Sequence, residues 1–143
     1  NSDNGIIDGC INYGSISGNG IVGGIVAESS KSASSGTFDC GRIQNCSNFG
    51  IISGDDAGGI IGSVELIYTG SNMAAPSMRL TTSIANSFNC GDITGNNRGG
   101  ICGRIKLYCC AHNNRYGNYF YFKTIVNVFN CINNSNCTIS PSK

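Results

Sequence analysis

In the stretch GGIIGSVELIY, residues 58–68, Ile60, Gly62, Val64 and Leu66 take every second place, and the alternation returns in GGICGRIKLY at Ile101, Gly103, Ile105 and Leu107. A period of two belongs to a strand with one buried face. Each pair lies 41 residues apart, and so do Glu65 and Lys106 between them. That spacing predicts strands stacked one over another, with the two opposite charges side by side on the outer face.

The alternation is part of a longer phrase written four times: IDGCINYG from Ile7, IQNCSNFG from Ile43, IANSFNCG from Ile84 and IVNVFNCI from Ile125, at spacings of 36, 41 and 41. The first three copies continue through SISG, IISG or DITG, a polar turn and a double glycine (GGIVA, GGIIG, GGICG), while the fourth stops before it. A period of this size marks units that cannot bury an apolar face alone and must stack on a neighbour. The expectation is one all-β domain over residues 1–143, a β-solenoid resembling a parallel β-helix, with about three and a half coils and roughly three short strands per coil. Between copies lie ESSKSASSGTFDCGR, TGSNMAAPSMRLTT and CCAHNNRYGNYFYFK, expected to protrude from one side as variable inserts.

Asparagine recurs in phase. Asn12, Asn48, Asn89 and Asn130 hold one place in the four copies, and Asn45, Asn86 and Asn127 hold another. Aligned amides one strand spacing apart can hydrogen-bond along the stack as a ladder. The other reading is that asparagine marks turns, where left-handed backbone suits it. Glycine recurs because short strands need sharp corners and close backbone approach.

The stretches CINYGSISGNGIVGGIV, CSNFGIISGDDAGGIIG and SFNCGDITGNNRGGICG resemble the GLUG motif, a short repeat of secreted and surface proteins that includes the stalks of some bacterial peptidases. The resemblance covers roughly half the chain and recurs in phase. It implies an extracellular repeat region with no chemistry of its own. The first copy departs from the pattern by one extra residue before Gly23 and by ending in Ala27.

Composition agrees with strands and turns. Of 143 residues 21 are Gly and 2 Pro, and 12% are charged, which starves helices and fits neither a helical protein nor a charged tail. The net charge is +1 with the 9 basic residues scattered, so nucleic acid and anionic membranes are not expected partners. No apolar run approaches the roughly 20 residues that cross a bilayer. The chain begins at Asn1 without a leader, so any secretion signal is expected to have been removed or to lie outside it. Nine cysteines favour an oxidising, extracellular setting.

Cys10 and Cys46 fall at equivalent places of copies one and two, and Cys90 and Cys131 at equivalent places of copies three and four. Neighbours on adjacent coils sit about 4.8 Å apart, inside the disulfide range, so each pair is a candidate bridge or a pair of free thiols. Cys109, Cys110 and His112 lack the spaced-pair pattern of a zinc site, and the single His has no orienting group for a Cys–His nucleophile. Asp55 and Asp56 fall short of the 6–8 oxygens a calcium ion takes. The double glycines lack the Lys-Ser/Thr of a phosphate loop. No cofactor, metal or enzymatic activity is expected.

Tyr116, Tyr119, Phe120, Tyr121 and Phe122 form a candidate binding insert for glycans or a surface protein, or a cap on the coils. Asn133 and Asn136 sit in glycosylation sequons, as does Asn45, which the ladder makes a poor acceptor. Ser17, Ser53 and Thr94 form a short column of the kind an ice-binding face displays. The copies run without polar caps, which favours a head-to-tail filament of this chain outside the cell, ahead of an adhesin-like binding module and of ice binding.

Overall fold

The computed structural model describes residues 5–33, 37–68, 78–109 and 122–134. The chain winds through successive coils, each cut by corners into five strands where alternation alone predicts about three. The first coil holds β1 (Ile6–Asp8), β2 (Ile11–Asn12), β3 (Ile16–Ser17), β4 (Ile21–Gly23) and β5 (Val26–Ala33). The second holds β6 (Thr37–Gln44), β7 (Ser47–Asn48), β8 (Ile52–Ser53), β9 (Asp56–Gly58) and β10 (Ile61–Tyr68). The third holds β11 (Met78–Ala85), β12 (Phe88–Asn89), β13 (Ile93–Thr94), β14 (Asn97–Gly99) and β15 (Cys102–Cys109), and β16 (Phe122–Phe129) and β17 (Ile132–Asn133) begin a fourth.

Equivalent strands of successive coils pair in parallel, in the orders β1-β6-β11-β16, β2-β7-β12-β17, β3-β8-β13, β4-β9-β14 and β5-β10-β15. Among the described residues there is no helix, so the fold is an all-β solenoid. Ile61 pairs with Cys102, Val64 with Ile105, Glu65 with Lys106 and Leu66 with Leu107, at the expected spacing of 41. Ile60 N donates to Ile101 O at 3.1 Å.

The corner between the first two strands of each coil is a residue in left-handed backbone: Gly9, Asn45, Asn86 and Asn130, with φ of 67°, 54°, 48° and 52°. Glycine carries no Cβ penalty there, and asparagine bears it better than most residues. A second irregularity sits in β6, where the pairing with β11 slips by one residue around Gly41 at φ 102°. A Cβ at Gly41 would stand 2.7 Å from Gly5 O, and Thr82 Oγ1 donates to the Gly41 carbonyl at 3.2 Å. The extra residue is therefore absorbed as a bulge.

Two long sheets face each other across the main core. Ile43 and Ile84 from one meet Ile60, Ile61, Val64 and Leu66 from the other, with Cys46 and Ala33 beside them. Fully burying an aliphatic side chain contributes about 1.5–3 kcal/mol. Val22, Ile52 and Ala57 form a second, smaller core with Ile93 packed against it.

Two expectations are corrected. The fourth copy does not start at Ile125: Ile84 pairs with Val128 and Ala85 with Phe129, 44 residues on, while Ile125 pairs with Thr81. The 3 added residues lie in the connection from β15 to β16, which holds 12 residues against 9 between β10 and β11. The variable segments are also not wholly protrusions. Residues 28–33 and 37–42 of the first are strand, in β5 and β6, because parallel backbone pairing with the neighbouring coil extends through them.

Candidate functional site

The second strand of every coil presents an asparagine to its neighbour. Asn12 Nδ2 donates to Asn48 Oδ1, Asn48 Nδ2 to Asn89 Oδ1 and Asn89 Nδ2 to Asn133 Oδ1, each at 2.7 Å. The other Nδ2 proton goes to the carbonyl two residues on, Gly14, Gly50 or Gly91, at 2.8–2.9 Å. Gly14 N and Gly50 N return hydrogen bonds to Asn12 Oδ1 and Asn48 Oδ1 at 3.0 and 3.3 Å. Asn48 and Asn89 are fully buried, so this satisfaction is what makes the burial tolerable.

The ladder explains the double glycine. A Cβ on the second glycine of a pair would lie 2.6 Å from Asn48 Cγ at Gly24, 2.3 Å from Asn89 Cγ at Gly59 and 2.0 Å from Asn133 Cγ at Gly100. A Cβ on the first would strike the carbonyl three residues on, at 1.8–2.0 Å for Gly23, Gly58 and Gly99. Each double glycine thus makes room for the amide of the following coil. Their shared period with the asparagines was the signal in the sequence.

The expected ladder needs one change. Its fourth member is Asn133, two residues past Cys131, and Asn130 belongs to the corner file with Asn45 and Asn86. Asn130 Nδ2 donates to Asn86 Oδ1 at 3.3 Å. Asn127 lies within β16 opposite Ser83, outside both files. Asn133, a candidate glycan acceptor, is thereby the last described rung of the ladder, while Asn136 lies outside the described residues.

Beside the ladder runs a file of Cys10, Cys46, Ser87 and Cys131, each turned to the carbonyl two residues before it, of Asp8, Gln44, Ala85 and Phe129. Cys10, Cys46 and Cys131 are free thiols. Neither proposed bridge is present: Cys10 and Cys46 are neighbours left reduced, and Cys131 stands over Ser87 because of the 44-residue step, not over Cys90. Cys90 is disulfide-bonded. Burial holds the Cys46 thiol above its ordinary pKa, and burial does the same at Cys102.

Other files line the surface. The Tyr13 and Phe49 rings stack at 5.2 Å, and Phe88 meets Phe49 edge-on at 5.7 Å. Ser17, Ser53 and Thr94 align as expected, over three coils, with Ser53 half-buried. Asp55 and Asp56 meet amides: Asn96 Nδ2 donates to Asp55 at 3.2 Å and Asn97 Nδ2 to Asp56 at 2.7 Å. Burial pushes the Asp56 carboxyl up, and the Asn97 amide with the Arg104 guanidinium, 3.2 Å away, outweighs it and holds the carboxyl below its ordinary value. Among the described residues no group of three potential ligands gathers for a metal ion. Tyr116, Tyr119, Phe120, Tyr121, Cys110 and His112 lie outside the described residues, and Phe122 opens β16 opposite Met78.

The two ends of the stack are the remaining feature. Ile6, Ile11, Tyr13 and Ile16 are exposed on the first coil, Ile105 on the third where no further strand covers it among the described residues, and Val128, Phe129 and Ile132 on the fourth. The fourth coil covers only the first two strand files among the described residues, leaving a step beside β17. A notch of about 430 Å³ occupies it, lined by Asp92, Thr94, Arg98, Gly100 and Asn133. Set against protein-family models, curated proteins and solved structures, the chain matches none.

Proposed function

We propose that this chain is a structural repeat protein of an extracellular or cell-surface fibre, in which copies stack head to tail. The observation that carries the reading is the polarity of the asparagine ladder. Every rung donates through Nδ2 toward the later coil and accepts through Oδ1 from the earlier one. Among the described residues, Asn12 Oδ1 thus has no earlier coil to receive from and Asn133 no later coil to donate to. The two ends are complementary to each other and not to themselves, which favours an open, heterologous contact.

Apolar residues exposed at both ends support the same contact: Ile16 and Val128 are exposed where their in-register partners Ile52 and Ile84, covered on both sides, are fully buried. The GLUG-like phrase and the cysteine content fit a secreted or surface setting. In this reading the chain catalyses nothing; its task is to be long and stiff.

Electron microscopy and sedimentation of the protein, alone and as Asn133→Asp, test the proposal. Asp keeps the acceptor for Asn89 and removes the onward donor. The wild-type protein should form filaments, and the variant should stay short with an unchanged β-sheet spectrum. Monomers from the wild type at every concentration would reject the reading.

A second reading, a binding module, draws on the exposed Tyr13 and its stacked partner Phe49, a platform of the kind that packs against sugar rings. Glycan binding lost in Tyr13→Ala, with filaments unchanged, would favour it.

A further inference from the structure

We infer that Cys10 and Cys46 form a dithiol site that closes to a cross-coil disulfide by exchange with a small-molecule disulfide of the glutathione class. The two residues precede β2 and β7, and Ser47 N donates to Cys10 O at 2.9 Å, so their backbones are held side by side. One strand spacing, about 4.8 Å, falls within the Cα separations that a disulfide spans. Both side chains turn the same way, toward the carbonyls of Asp8 and Gln44, and both are free.

Their exposures differ, and this sets the order of events. Cys10 is exposed and Cys46 fully buried. Cys10, as thiolate, attacks one sulfur of the incoming disulfide, and one small thiol leaves with a proton taken from solvent. Cys46 then loses its proton, and its sulfur displaces the second small thiol from Cys10. Two protein thiols are oxidised to one disulfide, and the reagent is reduced to two thiols. The bond staples the first coil, exposed on one side, to the buried second coil.

The file contains its own control. Ser87 separates Cys46 from Cys131, so these thiols stand two strand spacings apart, roughly 9.6 Å, beyond disulfide reach. Cys131 can take up one small thiol and go no further. The inference does not depend on the fibre reading, since both cysteines lie in one chain.

The test is to incubate the full chain with oxidised glutathione, alkylate the remaining thiols and map the peptides without reduction. The expected result is a Cys10–Cys46 linked peptide and loss of Cys10 alkylation, with Cys131 either alkylated or carrying one glutathione. In Cys46→Ser, Cys10 should retain its glutathione, because the second displacement is gone. Circular dichroism of that variant checks that it is folded, and Cys46→Ala replaces it where serine unfolds the chain. An unmodified Cys10, a glutathione left on Cys10 in the wild type, or Cys10 linked to another cysteine would each overturn the inference.

Discussion

The middle coil and the coils at the ends carry similar residues and bury them very differently. Ile52 is 0% exposed and its partner Ile16 in the first coil 37%, while Ile84 is 0% exposed and its partner Val128 in the fourth coil 46%. Val64 and Ile105, paired across the second and third coils, differ as much. Burial here belongs to the stack: a coil is sandwiched when it has two neighbours and half-open when it has one. The same mutation should therefore have unequal effects along one file.

The largest contrast is expected at the second glycine of each pair. In Gly59→Ala the new methyl would lie 2.1 Å from Gly100 O and 2.3 Å from Asn89 Cγ, so backbone must move, at about 3 kcal/mol or more. In Gly100→Ala its three nearest neighbours all belong to the Asn133 side chain, in the half-open coil. Urea melts should place Gly59→Ala well below wild type and Gly100→Ala between them; equal losses would refute the sandwich argument.

A smaller contrast is expected from truncation. Ile52→Ala should cost about 2–5 kcal/mol as a cavity, and Ile16→Ala below about 1 kcal/mol. In a filament, however, Ile16 would be covered, so its cost should rise with protein concentration if copies stack. A concentration-independent Ile16→Ala would speak against stacking at that end.

The smallest effect concerns acid. The Asp56 carboxyl is held below its ordinary value of 3.8, so the folded chain binds its proton less readily than the unfolded chain. Its contribution is complete above that value and is lost as pH falls through the depressed one. Asp56→Asn should flatten the decline of stability between pH 4 and pH 2, with Arg104 partly exposed and the ion pair correspondingly screened. An unchanged acid limb in thermal melts would show that the pair contributes nothing.

The long third segment of the phrase was legible in the sequence, because alternation and a 41-residue repeat coincide at Ile60, Val64 and Leu66. The fourth copy was not. Repetition placed it at Ile125, yet the connection between long strands is free to grow without disturbing the stack, and three more residues there moved the phase. What fixes the phase is physical: the corner needs a residue that accepts positive φ, met by Asn130, and the ladder needs an amide three residues later, met by Asn133. β5, reading VAESSKSA, has no apolar alternation to follow and is strand because the backbone of β10 pairs with it. Of the candidate site, the asparagine and cysteine files were visible as columns. The role of the double glycine as a seat for the next coil's amide was hidden until the coils were stacked.

Nuclear Overhauser contacts between side-chain amide protons test the central claim most directly. Stacked coils with a 44-residue last step predict an unbroken chain of contacts from Asn12 to Asn48, Asn89 and Asn133. Contacts from Asn89 to Asn130 in place of Asn133, or none between Asn48 and Asn89, would contradict it.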